Sequence, residues 1–274
     1  MATAFQVDEP VVDPLDVTRS SLYISDTWQE PFRELRAKHP IYRCENSQFG
    51  PYWSVSTYKP IQHIEALPKV FSSSWEVGGI TVAGDGIEHL QSHEIPMPMF
   101  IAMDPPNHTA QRRTVAPAFG PGEIDRMRAD SLKRTGDVLD SLPIGKPFDW
   151  VDLVSMELTT QMLAILFDFP WENRRDLTRW SDVLGDIEGF KEDERRKFRL
   201  ETAFEMGAAF KHLWDRKAVT PGQHDLISIM LQSDAMKHMS EGEFMGNLIL
   251  LIVGGNDTTR NSMSAFAYGL NQFP

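Results

Sequence analysis

A polar break interrupts the most apolar stretch of this chain and limits what the region can become. Residues 248–253 are all aliphatic, and the sequence Gly-Gly-Asn-Asp-Thr-Thr follows at 254–259. Buried polar groups cost free energy unless they find partners, and glycine inside a helix costs roughly 0.5–1 kcal/mol relative to alanine. We therefore interpret the break as a functional site in a central helix. The alternative is that residues 254 and 255 end one helix and that Asp257 or Thr258 caps the next.

The sequence on either side of the break favours one continuous helix. Ser240 followed by Glu243 fits a capping box, so the helix should begin near residue 241. After the break, apolar residues resume at helical spacing, at Met263, Phe266, Ala267 and Leu270. About 30 residues at roughly 1.5 Å each predict a central helix over 241–272 that is long enough to cross a whole domain.

A second segment predicts a helix with a basic face. Asp104 is a good N-cap, and Pro105 suits the first turn, where its missing N–H is no loss. His108 and Arg112 lie four residues apart and therefore share one face of the helix. Because the arginine fork matches a carboxylate or a phosphate, this face could bind the anionic edge of a cofactor. A solvated basic turn is the alternative.

Together, the two segments resemble motifs of the cytochrome P-450 family of haem-thiolate monooxygenases. Residues 254–259 match the central-helix pattern of a small residue, Gly, any residue, an acid, Thr and Thr or Ser. Residues 104–112 match the pattern Asp-Pro-Pro-x-His-x-x-x-Arg of the third helix in bacterial members. The order of the motifs and two strand-like segments, at 40–45 and 52–56, extend the resemblance over nearly all of the chain.

The resemblance implies haem b as the cofactor and names the residues that would hold it. His108 and Arg112 would bind the haem propionates. Gly254 and Gly255 would line the groove over the distal haem face, where a missing Cβ at residue 255 lets a flat ligand approach the backbone. Gly254 stands where the family more often has alanine, which would widen the groove slightly.

The same resemblance implies a catalytic pair and a missing metal ligand. Asp257 and Thr258 would form the acid–alcohol pair that delivers protons during O2 activation. The family's iron ligand is a cysteine beyond the central helix, whereas the single cysteine here, Cys44, has the setting of a structural thiol. We therefore expect no metal ligand in this chain and an axial cysteine beyond Pro274. The chain would be an N-terminal part of the enzyme, inactive alone and unable to bind haem in the family's manner.

Apolar residues predict a hydrocarbon substrate. In the family, the long loop over 72–101 would roof the substrate pocket, and flexible methionine and aliphatic side chains suit a hydrocarbon. The residues expected to contact substrate are Ile80, Val82, Met97, Met99, Leu250 and Val253. The sequences at 99–104, 166–170 and 254–263 resemble the bacterial subgroup that hydroxylates the terminal carbon of alkanes and fatty acids. A steroid or terpenoid hydroxylase and a non-catalytic helical lipid-binding protein are the alternatives.

Charge and cysteine content argue against several other classes. The net charge of −12 disfavours binding to nucleic acid or to an anionic membrane surface. A single cysteine suits a reducing cytosol. Because the sequence shows neither a signal peptide nor an apolar stretch of about 20 residues, we expect a cytoplasmic protein without a membrane anchor. The partners implied by the resemblance are O2, a ferredoxin and a ferredoxin reductase that passes electrons from NAD(P)H.

The expected fold is mainly α with a small β-sheet portion. Residues 1–25 should form an N-terminal arm, and residues 26–274 the N-terminal portion of a single haem-monooxygenase domain. Besides the helix at His108 and the central helix, periodicity predicts helices over 28–38, 57–67, 122–142, 150–167, 171–190, 192–216 and 223–231.

Overall fold

The structure is a computed structural model and describes residues 13–80, 97–186, 193–220, 222 and 224–273. The chain divides into two compact units, Met1–Pro96 with Ala102–Asp104, and Met97–Ile101 with Pro105–Pro274. The described elements are mainly helices with one small sheet, which confirms the predicted fold class. Within the described residues, no helix has both the length and the apolarity needed to span a bilayer.

The first unit contains three helices and a β-hairpin. Its elements in chain order are α1 (Ser20–Ile24), α2 (Gln29–Lys38), β1 (Ile41–Cys44), β2 (Tyr52–Val55) and α3 (Tyr58–Glu65). The strands are antiparallel. Residues before α1, which we expected to belong to an arm, bond to the hairpin: the Tyr42 hydroxyl donates to Asp13 at 2.9 Å, and the Tyr52 hydroxyl donates to Asp16 at 3.1 Å. These bonds fix the start of the described chain to both strands.

The second unit is helical. Its helices are α4 (Asn107–Val115), α5 (Pro121–Asp140), α6 (Glu157–Phe167), α7 (Arg174–Leu184), α8 (Asp193–Val219), α9 (Leu226–Leu231) and α10 (Glu241–Gln272). A π-helical segment, Val151–Met156, leads directly into α6. Helix α10 packs against α6, α7 and α8. Phe167, Trp180 and Phe210, from these three helices, form an aromatic cluster in the core.

The central helix has the predicted bounds. Helix α10 runs without interruption from Glu241 to Gln272, and the Ser240 hydroxyl caps it by accepting the Glu243 N–H at 3.2 Å. The polar break at 254–259 therefore lies inside one helix, and the alternative of two helices meeting at the glycines is wrong.

The predicted helix start at Asp104 is wrong. Helix α4 begins at Asn107, and its N-cap residue, Pro106, offers no side-chain cap. The Asp104 carboxylate instead accepts bonds from the Ser72 hydroxyl and, at 3.0 Å, from the Ser73 N–H. The carboxylate is thus engaged by a preceding loop of its own unit rather than by the helix.

Other predicted boundaries also differ from the structure. The predicted helix over 150–167 begins as the π-helical segment and becomes α-helical only at Glu157. In the described residues, the helix predicted over 171–190 ends at Leu184, while residues 187–190 lie outside the description. The helix predicted from 223 begins at Leu226, because the Asp225 side chain accepts the Ser228 N–H and thereby acts as N-cap.

Glu157 makes the stability of the second unit dependent on pH. Its carboxylate accepts bonds from Gln161 at 2.8 Å and Arg174 at 2.9 Å, and it lies 2.6 Å from Arg175. Burial raises the pKa of Glu157, but these bonds outweigh it and hold the pKa below its ordinary value of 4.5. A carboxyl with a depressed folded pKa stabilises the fold above the unfolded value and loses that contribution as pH falls below it.

We expect Glu157→Gln to lower the free energy of unfolding most near pH 7, with the difference from wild type shrinking below pH 4.5. Urea unfolding of the full-length protein at several pH values measures this difference. Glu30→Gln is the control, because the Glu30–Arg33 pair is exposed on both sides and should contribute little at any pH. A difference for Glu157→Gln that stayed constant down to about pH 3.5 would contradict the assignment.

Candidate active site

One face of α10 is open at the polar break. Asn247, Leu250, Gly254 and Thr258 are spaced three or four residues apart and therefore share a face. A Cβ added at Gly254 would meet no atom of the described residues within 4 Å. Thr258 is exposed, and its hydroxyl donates to the Gly254 carbonyl oxygen at 2.8 Å. The hydroxyl oxygen keeps its acceptor capacity on this open face.

The second glycine of the break serves the packing of α10. A Cβ at Gly255 would lie 2.8 Å from Cδ2 of Leu163 on α6. Glycine at this position therefore permits close approach of the two helices. Of the two glycines expected to line a cofactor groove, Gly254 is the one whose missing side chain leaves open space.

A buried amide on the opposite side of the break ties α10 to α6. Asn256 is fully buried, and its Oδ1 accepts the Thr159 hydroxyl at 2.9 Å. Two turns further on, the Ser264 hydroxyl donates to the Ser155 hydroxyl at 2.9 Å. Since residues 256 and 258 lie about 200° apart around the helix, these bonds hold α10 in the rotation that leaves Thr258 exposed.

Asp257 takes part in an ion-pair network that the sequence analysis missed. Its Oδ1 accepts Arg260 Nη2 at 2.8 Å and Asn261 Nδ2 at 3.2 Å, and Arg260 Nη1 also donates to Asp182 of α7 at 2.7 Å. Burial lowers the pKa of Arg260, but the two carboxylates outweigh burial and raise it. Oδ2 of Asp257 has no partner among the described residues. The three-residue spacing from Asp257 to Arg260 was the available signal for this pair.

Two basic side chains of α4 are available to an anionic ligand. His108 is half-buried and Arg112 is exposed. Within the described part of the chain, neither side chain makes an ion pair or a hydrogen bond. Unpaired basic side chains of this kind, and an uncovered stretch of helix backbone such as that at Gly254, are features that a flat, carboxylate-bearing group such as haem would need.

The residues expected to contact substrate have different surroundings. Met97, Met99, Leu250 and Val253 are half-buried in the second unit. Val253 lies near α7, where its Cγ1 would be 3.4 Å from a Cβ added at Gly185. Ile80, in the first unit, is 52% exposed, and Val82 lies outside the described residues.

Neither the described acidic residues nor the described histidines form an evident metal centre. No group of three or more His, Cys, Asp or Glu in the described residues is placed to hold an ion. Cys44 is buried, its thiol bonds to the Asn46 carbonyl at 3.7 Å, and burial raises its pKa. A buried thiol with a raised pKa is unreactive, which supports its interpretation as a structural residue.

Comparison with known proteins identifies the family. No protein-family model matches the chain. A cytochrome P450-153 from Novosphingobium aromaticivorans is 52% identical with a TM-score of 0.86, over 95% of this chain and 64% of that one. CYP153D17 from Sphingomonas sp. PAMC 26605 is 59% identical with a TM-score of 0.84, over 96% and 65%. Linalool 8-monooxygenase of Pseudomonas putida is 28% identical over 94% of this chain and 64% of its own length.

These similarities define a helical protein with the cytochrome P450 fold. The chain belongs to the cytochrome P450 family, and it spans 64–65% of the length of these relatives.

Proposed function

We propose that the full-length protein is a haem-dependent monooxygenase that inserts one oxygen atom of O2 into an unactivated C–H bond of an apolar substrate. The observation that carries the proposal is the open face of α10, where Thr258 presents a hydroxyl one turn from the uncovered Gly254. The membership of the chain in the cytochrome P450 family supports it.

Haem, when bound, supplies the redox chemistry that activates O2. His108 and Arg112 would hold its carboxylates by charge-assisted hydrogen bonds. Gly254 would admit the flat ring to the backbone of α10, because no side chain in the described part of the chain occupies that space. Electrons would come from NAD(P)H through a ferredoxin reductase and a ferredoxin.

Thr258 and Asp257 would handle protons at this site. The Thr258 hydroxyl is fixed by its bond to the Gly254 carbonyl, so its oxygen is in place to accept a proton-donating group on the open face. Asp257 is half-exposed, and its Oδ2, which has no partner among the described residues, is accessible to solvent. A relay from solvent through Asp257 to Thr258 needs only these two neighbouring residues.

For the substrate, we propose terminal hydroxylation of alkanes or fatty acids. Met97, Met99 and Leu250 are half-buried apolar side chains of the second unit, and such side chains recognise a hydrocarbon by contact area rather than by charge. A terpenoid substrate is the second candidate, supported by the likeness to linalool 8-monooxygenase.

A product panel tests the proposal. The full-length protein is incubated with a ferredoxin, its reductase, NAD(P)H and, separately, octane, dodecanoic acid, linalool and a sterol. We expect 1-octanol or the ω-hydroxy acid as the main product. If only linalool is oxidised, the result favours a terpenoid hydroxylase. If only the sterol is oxidised, the result favours a steroid hydroxylase. A protein that binds these lipids but gives no product and no carbon monoxide difference spectrum would refute the monooxygenase and support a lipid-binding protein.

Arg112→Ala is expected to weaken haem retention. The exposed guanidinium has no protein partner in the described residues, so its removal should cost only its pairing with a haem carboxylate. An exposed ion pair contributes up to about 1 kcal/mol, which corresponds to haem loss about fivefold faster. Transfer of haem to apomyoglobin, followed by absorbance, measures the rate. Arg113→Ala is the matched control on the same helix, and equal rates for both variants would count against Arg112.

A further inference from the structure

The segment before α4 packs on the central helix through its main chain. Gly246 of α10 lies beneath residues 97 and 98: a Cβ added there would be 2.8 Å from the carbonyl carbon of Met97 and closer still to the carbonyl oxygens of Met97 and Pro98. These are backbone atoms, which cannot move aside as the end of a flexible side chain can. A side chain at residue 246 would therefore displace the segment.

The next residue of α10 bonds the same segment. Asn247 is fully buried, and its Oδ1 accepts the Phe100 N–H at 2.9 Å. Its Nδ2 donates to Oε1 of Gln111 on α4 at 3.0 Å, and the Gln111 amide donates in turn to the Glu243 carboxylate. One side chain thus joins residues 97–100, α4 and α10. An apolar residue in its place would leave buried donors and acceptors without partners, which is costly.

This junction lies beside both parts of the proposed site. Asn247 shares a face of α10 with Leu250 and Gly254, and Gly254 is seven residues further on, roughly 10 Å along the helix. Gln111 directly precedes Arg112 in α4. The junction therefore fixes the main chain that carries Met97 and Met99 against the turn of α10 that contains Gly246 and Asn247.

We propose that Asn247 is a positioning residue: together with the glycine at 246, it holds the main chain of residues 97–100 on α10 and so sets the size of the apolar substrate that fits over this face. The part that concerns substrate rests on the proposed monooxygenase function. The part that concerns the segment does not, since it depends only on the bonds of Asn247.

Amide hydrogen exchange tests whether Asn247 holds residues 97–100 on α10, without reference to activity. In the full-length protein, Asn247→Leu should accelerate exchange of the Phe100 amide by at least about tenfold, because its acceptor is lost. Thr160→Val is the matched control: Thr160 is also fully buried, and its hydroxyl bonds Thr178, far in sequence from the segment. Unchanged exchange at Phe100 in Asn247→Leu, or equal acceleration in Thr160→Val, overturns the proposal.

A second variant covers the case in which Asn247→Leu does not fold. Gly246→Ala should also accelerate Phe100 exchange by displacing the segment. Gly136→Ala should not, because a Cβ added at this glycine of α5 has no atom of the described residues within 4 Å. In the folded variant, affinity for the best substrate of the panel should fall about threefold or more with kcat less affected. Faster exchange with unchanged selectivity over chain length overturns the role in substrate choice. If the wild type itself shows no turnover, the proposed monooxygenase function is refuted. The exchange result then still tests whether Asn247 holds the segment.

Discussion

Replacing Thr258 by alanine is expected to separate electron consumption from product formation. The hydroxyl lies on the open face of α10, fixed by its bond to the Gly254 carbonyl. Its loss removes the group that we propose holds protons near the reacting oxygen, and general acid–base groups typically contribute on the order of 10²–10⁴ in rate. Product per NAD(P)H should fall about tenfold to a hundredfold, with the electrons recovered as hydrogen peroxide. Parallel assays of NAD(P)H, product and peroxide in the full-length protein measure the ratio.

Two variants make this result specific to the hydroxyl at residue 258. Thr258→Ser keeps the hydroxyl and should keep most of the coupling. Thr259→Ala removes the neighbouring hydroxyl, which lies about 100° around the helix, and should leave coupling intact. An unchanged ratio of product to electrons in Thr258→Ala would rule out the proton-handling role.

Lys217→Met is expected to give a large loss of stability. Lys217 of α8 has a side chain only 6% exposed, and its Nζ donates to Asp168 at 2.6 Å and Asp225 at 2.9 Å. Burial lowers the pKa of Lys217, but the two carboxylates outweigh burial and raise it. Asp225, with a side chain 8% exposed, would be left as an uncompensated buried charge. Removing one partner of a buried pair costs about 3–5 kcal/mol, and we expect the lower end because Asp225 keeps its bonds to Ser228.

Urea unfolding of the full-length protein measures the loss at Lys217. Lys211→Met on the same helix is the control: its pair with Asp215 is exposed on both sides, so its removal should cost less than about 1 kcal/mol. The double variant Lys217→Met/Asp225→Asn should recover part of the stability, since asparagine is neutral and still an N-cap. Equal losses at Lys211 and Lys217 would show that the buried pair contributes no more than a surface pair.

Local rules were sufficient for the central helix and insufficient for the start of α4. The serine cap, the apolar spacing and the length of α10 are short-range signals, and they predicted both ends of the helix. Asp104 carried an equally good local signal, but its carboxylate bonds Ser72 and Ser73, some thirty residues earlier. Short-range patterns do not show when a donor that is distant in the sequence binds a carboxylate in place of the nearby helix N-terminus.

The candidate site was partly predictable for the same reason. Thr258 and Gly254 could be placed on one face from their spacing alone, and the structure has them there. Which of the two glycines packs against another helix depends on Leu163. This residue is 92 positions away from Gly255 in the sequence. Asn247 was visible as one amide in an apolar run, but its bonds to Phe100 and Gln111 exist only in the folded chain.

The way residues 97 and 98 meet α10 bears on how related enzymes diverge. The contact at Gly246 is made by carbonyl groups, which every amino acid possesses. Substitutions at Met97 and Met99 can therefore change the side chains that we propose contact a hydrocarbon while the path of the main chain is preserved. Substitutions at these two positions, in nature or in the laboratory, are then compatible with the same main-chain path as long as Gly246 and Asn247 are kept.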